Sequence, residues 1–240
     1  MVADVQWRKG MNRLISFLIA ATFAVPAFAQ FSIGPRLSNY STDFDTVGTK
    51  LKTGRQSAFG AVGGYRAGAF VLDFNYDHDT SNGINPTDII LAVGDYQRDH
   101  GEVTVGFSVT PFLDLQGGVR IDSVRVGGVA FFGNNIASDL DFEHQALTAG
   151  VRVHSADSAP AGFYLVARGY LGTAKFDNNT SGRVDSDTTG WRGEFGVPIR
   201  IGQSNWSVAP GIEYEHIQTK DFDVRLNTNR LFLNFVYTAK

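Results

Sequence analysis

The 240-residue chain contains no cysteine, so neither a disulfide framework nor a thiolate metal site is open to it. It also lacks an apolar run of the roughly 20 residues that a membrane-spanning helix needs. The longest run, Leu14–Val25, is shorter than that and follows Arg8, Lys9 and Arg13. There is no basic excess: the net charge is −3, which argues against nucleic acid as a partner. A Gly-x-Ser-x-Gly nucleophile elbow is missing. The five histidines (His78, His100, His144, His154 and His216) are scattered without metal-ligand spacing, so no cofactor is expected. What the chain does have is glycine (27 residues), phenylalanine (19) and tyrosine (8), set in alternating patterns.

Ala27-Phe28-Ala29 follows the Leu14–Val25 run and has the small-x-small form of a signal-peptidase site. The expectation is a signal peptide over residues 1–29, with Met11 as an alternative start, and a mature domain over residues 30–240. The mature chain then carries 18 basic against 23 acidic side chains, a charge of −5.

The pattern is clearest from Trp191 to Ile217. Trp191, Phe195, Val197, Ile199 and Ile201 share one parity, and Arg192, Glu194 and Arg200 the other. After a polar turn, Trp206, Val208, Ile212 and Tyr214 oppose Ser207, Gly211, Glu213 and Glu215. Period-two alternation puts these sets on opposite faces of a strand, with Val197 near the middle of the first. One such hairpin suits a soluble sandwich or a membrane barrel equally well. Repetition separates the two. About ten segments of this kind run through the mature chain, each near the 9–11 residues that a tilted strand needs to cross a bilayer.

Connections near residues 67, 111, 158 and 204 read as short, and those over 41–55, 78–100, 127–142 and 176–189 as long polar loops. Residues 89–97 read as a further strand or as an extension above the membrane. An eleventh strand would break the alternation of short and long connections, so ten are expected. The fold class is therefore all-β, an antiparallel up-and-down transmembrane barrel. A closed barrel lets strands sit in lipid with every backbone group paired.

Over nearly its whole mature length the chain resembles the small outer-membrane β-barrels, the OmpA/OmpX-type and Opa-like proteins. The resemblance rests on pattern rather than on a diagnostic motif. It implies a location in the outer membrane and contact with its lipid and lipopolysaccharide. It also implies short periplasmic turns and outer loops that meet a surface ligand. Such barrels usually end in Phe or Trp, whereas this sequence ends Tyr237-Thr238-Ala239-Lys240.

The polar parity places Arg36, Arg120, Arg152, Arg168, Arg192, Arg200 and Arg230 in the lumen. The same parity holds Asp73, Glu102, Asp114, Asp122, Glu194, Glu213 and Glu215. Seven of each sign suggests mutual neutralisation, with Arg168 facing Glu194 and Glu213 on consecutive strands. Two readings follow, a polar plug and a narrow charge-lined channel, and interleaved ion pairs favour the plug. Phe131 and Phe132 form an apolar loop tip and are candidate contact residues.

Two further groupings were weighed. His78, between Asp77 and Asp79, together with Glu213 and Glu215, approaches the acidic and His–Asp pairs of rim proteases, but no flanking pattern supports it. Asp77–Asp88 spaces carboxylates like a calcium loop, but Asn82 stands where the sixth-position glycine is needed. The reading is a non-enzymatic barrel with a structural or surface-interaction role; the alternative is a small porin, and a rim-located enzyme comes third.

Overall fold

A computed structural model describes residues 29–46, 49–52, 55–84, 91–127, 130–131, 134–135, 140–155, 161–178, 182–221 and 224–239. Ten long strands run antiparallel: β1 Ala29–Thr46, β2 Gln56–Ala67, β3 Phe70–Ile84, β4 Leu91–Thr110 and β5 Leu113–Gly127. They continue as β6 Leu140–His154, β7 Tyr164–Asn178, β8 Gly182–Gly196, β9 Trp206–Thr219 and β10 Arg225–Ala239. Each pairs with its neighbours in sequence, and β1 pairs with β10 from Phe31–Ala239 to Asp45–Arg225, so the sheet closes.

Closure fixes the geometry. Stepping through paired residues from Phe31 leads to Tyr65, Leu72, Val105, Gly117 and Ala149. The path goes on through Gly169, Trp191, His216 and Asn227 and returns to β1 at Asp43. The circuit climbs twelve residues (43 − 31) over ten strands. At about 3.3 Å per residue and about 4.8 Å between strands, that shear tilts the strands by about 40°. Twelve is even, so each strand keeps one parity inside all the way round.

The outside is apolar. Phe107, Leu147, Leu171, Ile212 and Leu231 are all more than half exposed. Aromatic pairs bound this band: Trp191 and Tyr214 lie 5.1 Å apart between ring centroids, and Trp206 and Tyr237 5.3 Å. Tyr214 and Trp206 are eight residues apart on β9, about 27 Å along the strand and about 20 Å along the tilted axis. That approaches the roughly 25 Å apolar height of an outer-membrane barrel. Val197 is not mid-strand. It follows the end of β8 and precedes Pro198, at the short-turn end of the barrel.

The long connections are shorter than the sequence suggests. Most of 41–55 is strand, with Thr49–Lys52 folding back on β1. In 78–100, β3 and β4 stay paired as far as Ile84–Val93, so Leu91–Val93 extends a strand instead of adding one. Most of 176–189 is a β7–β8 ladder out to Asn178–Gly182. In 127–142, β6 already begins at Leu140, and Ala130–Phe131 pairs with both Leu91–Ala92 and Asn134–Asn135. The physical reason is common to all four. Above the bilayer the outward strand face meets water, so the apolar half of the alternation disappears while the hydrogen-bonded ladder continues. At the other end the connections at 68–69 and 111–112 are tight, while the one over 197–205, read as short in the sequence, is nine residues long. Gly68 and Gly202 sit at φ +58° in two turns, a conformation that glycine adopts freely.

Candidate functional site in the lumen

Each strand sends its polar parity inward, and the inward side chains stack in tiers. Nearest the short turns, Arg66 donates to Ser108 (3.0 Å) and Asp114 (2.9 Å), and Arg152 to Asp73 (3.2 Å). Arg152 also lies over the Tyr164 ring, at 5.2 Å.

The middle tier is a lattice of four guanidiniums and four carboxylates. Arg192 reaches Glu102 at 2.7 Å and lies within 4 Å of Glu194 and Glu213. Arg230 bridges Asp77 (2.8 Å) and Glu213 (3.3 Å). Arg36 spans the same two carboxylates at 3.5 and 3.3 Å. Arg168 donates to Glu102 at 3.0 Å and to the Gln116 amide oxygen at 2.5 Å. Arg36 and Arg192 are 1 % exposed, so the lattice is screened from bulk solvent. Arginine's planar fork suits such bridging.

Above it, Asp122 accepts from both Nε and Nη2 of Arg120 (2.5 and 2.9 Å) and lies 2.8 and 3.2 Å from the Nδ1 atoms of His100 and His144. Arg120 also donates to Glu215 at 2.6 Å, and Tyr40 to Asp79 at 2.5 Å. Beyond that, Ala58 and Val124 pack with Tyr40 and Phe142 into a small apolar plug inside the barrel.

The sequence-predicted residues fall as follows. Arg36, Arg120, Asp122, Arg168, Arg192, Glu194, Glu213, Glu215 and Arg230 are buried in the lumen, with Glu102 and Asp114; Arg152 and Asp73 are half-buried nearer the mouth. Arg200 is exposed at the mouth. The expected grouping around Arg168 differs. Glu194 and Glu213 are register neighbours on β8 and β9, but Arg168 turns to Glu102 across the lumen, while Glu194 accepts from Tyr164 at 2.9 Å.

Asp77, which the sequence offered only for the protease-like and calcium-like groupings, joins the network, as do Arg98, His100 and His144. Each continues the parity of a recognised inward residue on its own strand (Asp73, Glu102 or Arg152), so parity alone was the available signal. Phe132 lies outside the described residues, as does the 1–28 segment, and for Phe131 only the backbone pairing is described.

The protease-like grouping does not assemble. His78 faces outward, its Nδ1 2.7 Å from Asp99, whereas Glu213 and Glu215 lie in the lumen. Asp99 sits on the outer surface just above the apolar band. Burial raises its carboxyl, but hydrogen bonds from His78, Tyr76 and Gln97 outweigh that and hold it below the usual carboxylate range. Asp77 and Asp79, the first carboxylates of the calcium-like spacing, turn inward to Arg230 and Tyr40.

Below the middle tier the lumen opens into a cavity of about 640 Å³ at the short-turn end. Its roof is the Arg36, Glu102, Arg168, Arg192 and Glu194 layer, and Arg152, Asp73 and Tyr164 line its walls.

No protein-family model matches the chain, and no curated protein is similar to it in sequence. Solved structures share its fold. The outer-membrane protease OmpT from Escherichia coli superposes with a TM-score of 0.58 at 8% identity, over 90% of this chain and 98% of that one. The translocator domain of autotransporter NalP from Neisseria meningitidis gives 0.50 at 8% identity, over 96% and 95%. At such identities the likeness concerns the fold.

Proposed function

We propose that this outer-membrane β-barrel is a closed, non-enzymatic scaffold whose lumen is plugged by arginine–carboxylate pairs and whose outer strand ends meet surface ligands. The supporting observation is the middle tier, where Arg36, Arg192, Glu213 and their partners fill the cross-section with almost no exposed surface. A ten-stranded barrel encloses little more than the eight-stranded interior that side chains fill unaided. Long guanidinium side chains from opposite walls therefore meet at the axis. The proposed neighbours are outer-membrane lipid and lipopolysaccharide around the apolar band, with Phe131 and Phe132 among the contact candidates above it.

Planar-bilayer recording of the refolded protein tests this reading. The expected trace is flat, and discrete conductance steps in the native protein would replace the plug with the porin reading, which the hollow short-turn half of the lumen favours. We also propose that residues 1–29 are a signal peptide. Mass spectrometry of protein from the outer membrane should then give Gln30 as the first residue, and a mature chain retaining Leu14–Val25 would overturn it.

A further inference from the structure

We propose that the cavity at the short-turn end is a binding site for a small multivalent oxyanion, one bearing two or more carboxylate or phosphate groups. Its volume, about 640 Å³, lies in the range of small-molecule sites. Its lining is rich in arginine (Arg36, Arg66, Arg152, Arg168, Arg192 and Arg200) beside three carboxylates, and Asp77, Asp114 and Glu213 pair with Arg36, Arg66 and Arg192 from outside the cavity.

Those carboxylates are already engaged. Asp73 accepts from Arg152 and Gln116, Glu102 from Arg168 with Arg192 at 2.7 Å, and Glu194 from Tyr164. The guanidiniums are not saturated. Each carries five N–H donors, and Arg66 and Arg152 keep about a quarter of their side chains open to the cavity. An oxyanion entering from the open end brings several acceptors, and charge-assisted bonds to arginine are the stronger kind. The closed middle tier makes this a dead-end pocket, which holds a ligand and does not pass one.

Arg152 is the lining arginine best suited to a test, because its side chain is about a quarter exposed and its loss leaves the middle tier intact. Citrate is titrated into the native protein in non-ionic detergent and followed by calorimetry, with chloride as the monovalent control. Saturable 1:1 binding is expected, weakening as salt is raised. Arg152→Gln should weaken it about tenfold or more, while Arg125→Gln, on the outer surface, should leave it unchanged. Both variants are first checked for a native unfolding midpoint. No citrate binding to the native protein, or equal binding in folded Arg152→Gln, would overturn the proposal. This holds whether or not the barrel conducts, so the result stands apart from the bilayer recording.

Discussion

The two halves of the lumen are built from the same residue types, yet one is hollow and the other filled. Both hold arginines opposite carboxylates. At the short-turn end, however, inward positions fall to glycine: Gly34 pairs with Val62, Gly64 with Asp73, Gly150 with Arg168 and Gly196 with Tyr164, all partners that line the cavity. Higher up, the corresponding positions carry Tyr170, Ile217, Leu226 and the two imidazoles of His100 and His144, all buried. Side-chain volume therefore separates the hollow half from the filled one, and the arginine–carboxylate tier between them forms the seal.

That contrast can be attacked at its strongest point first. Arg192→Ala takes a cation from Glu102, Glu194 and Glu213, which keep only Arg168, Tyr164 and the Arg36–Arg230 pair, and breaking a buried network by one partner costs up to about 3–5 kcal/mol. Urea unfolding in lipid vesicles should show the loss, and the bilayer trace should acquire openings. A stable, silent Arg192→Ala would mean that the tier does not close the barrel.

Ile217→Ala separates volume from charge. It removes a fully buried aliphatic from the filled half, at about 2–5 kcal/mol, the usual range for such a truncation. The ionic tier beneath remains, so conductance should stay at the native level. Openings in this variant would move the seal to the upper half.

The outer face supplies the next contrast. Val151→Arg lies within the apolar band and should cost about 2–4 kcal/mol, whereas Val197→Arg, at the short-turn margin, should cost about 0–1 kcal/mol. Equal values for the two would shift the band.

The smallest effect belongs to Asp99, outside the lumen. Its folded carboxyl is held below the usual range, so its stabilisation is present above the unfolded value near 3.9. It fades as pH falls through the lower folded value. Asp99→Asn should lower stability slightly at neutral pH and leave the acid end nearly unchanged, so that the acid limb flattens. An acid limb identical to the native one would remove the His78–Tyr76–Gln97 cradle from the account.

Most of the architecture was legible in period-two patterning. Strand number, the inward parity of Arg36, Glu102, Arg192 and Glu213, and the tight turn at Pro111-Phe112 can all be read from the sequence alone. Strand length could not. Beyond Tyr76 on β3 and Gly101 on β4 the outward residues become His78, Asp99 and Gln97, and a ladder that is polar on both faces leaves no hydrophobic trace. Cutting the strands there removed Arg98 and His100 from the lumen set. The pairing of Arg168 with Glu102 was equally hidden. It crosses the barrel between strands that are not neighbours, and only the shear brings the two to one level.

The seam where β1 meets β10 has a temporal meaning. Phe31 pairs with Ala239, 208 residues away in sequence (239 − 31), so the ladder that completes the cylinder joins the two ends of the domain. Until β10 is present, β1 and β9 are bare edges, and an unpaired backbone group in hydrocarbon costs several kcal/mol. An unfinished sheet of nine strands therefore has no stable home in the bilayer, and insertion must await the last fifteen-residue strand. Pairings this distant in sequence are also slow to form. The chain must be kept from aggregating through that interval, and once the seam zips, thirteen register pairs lock together in one event.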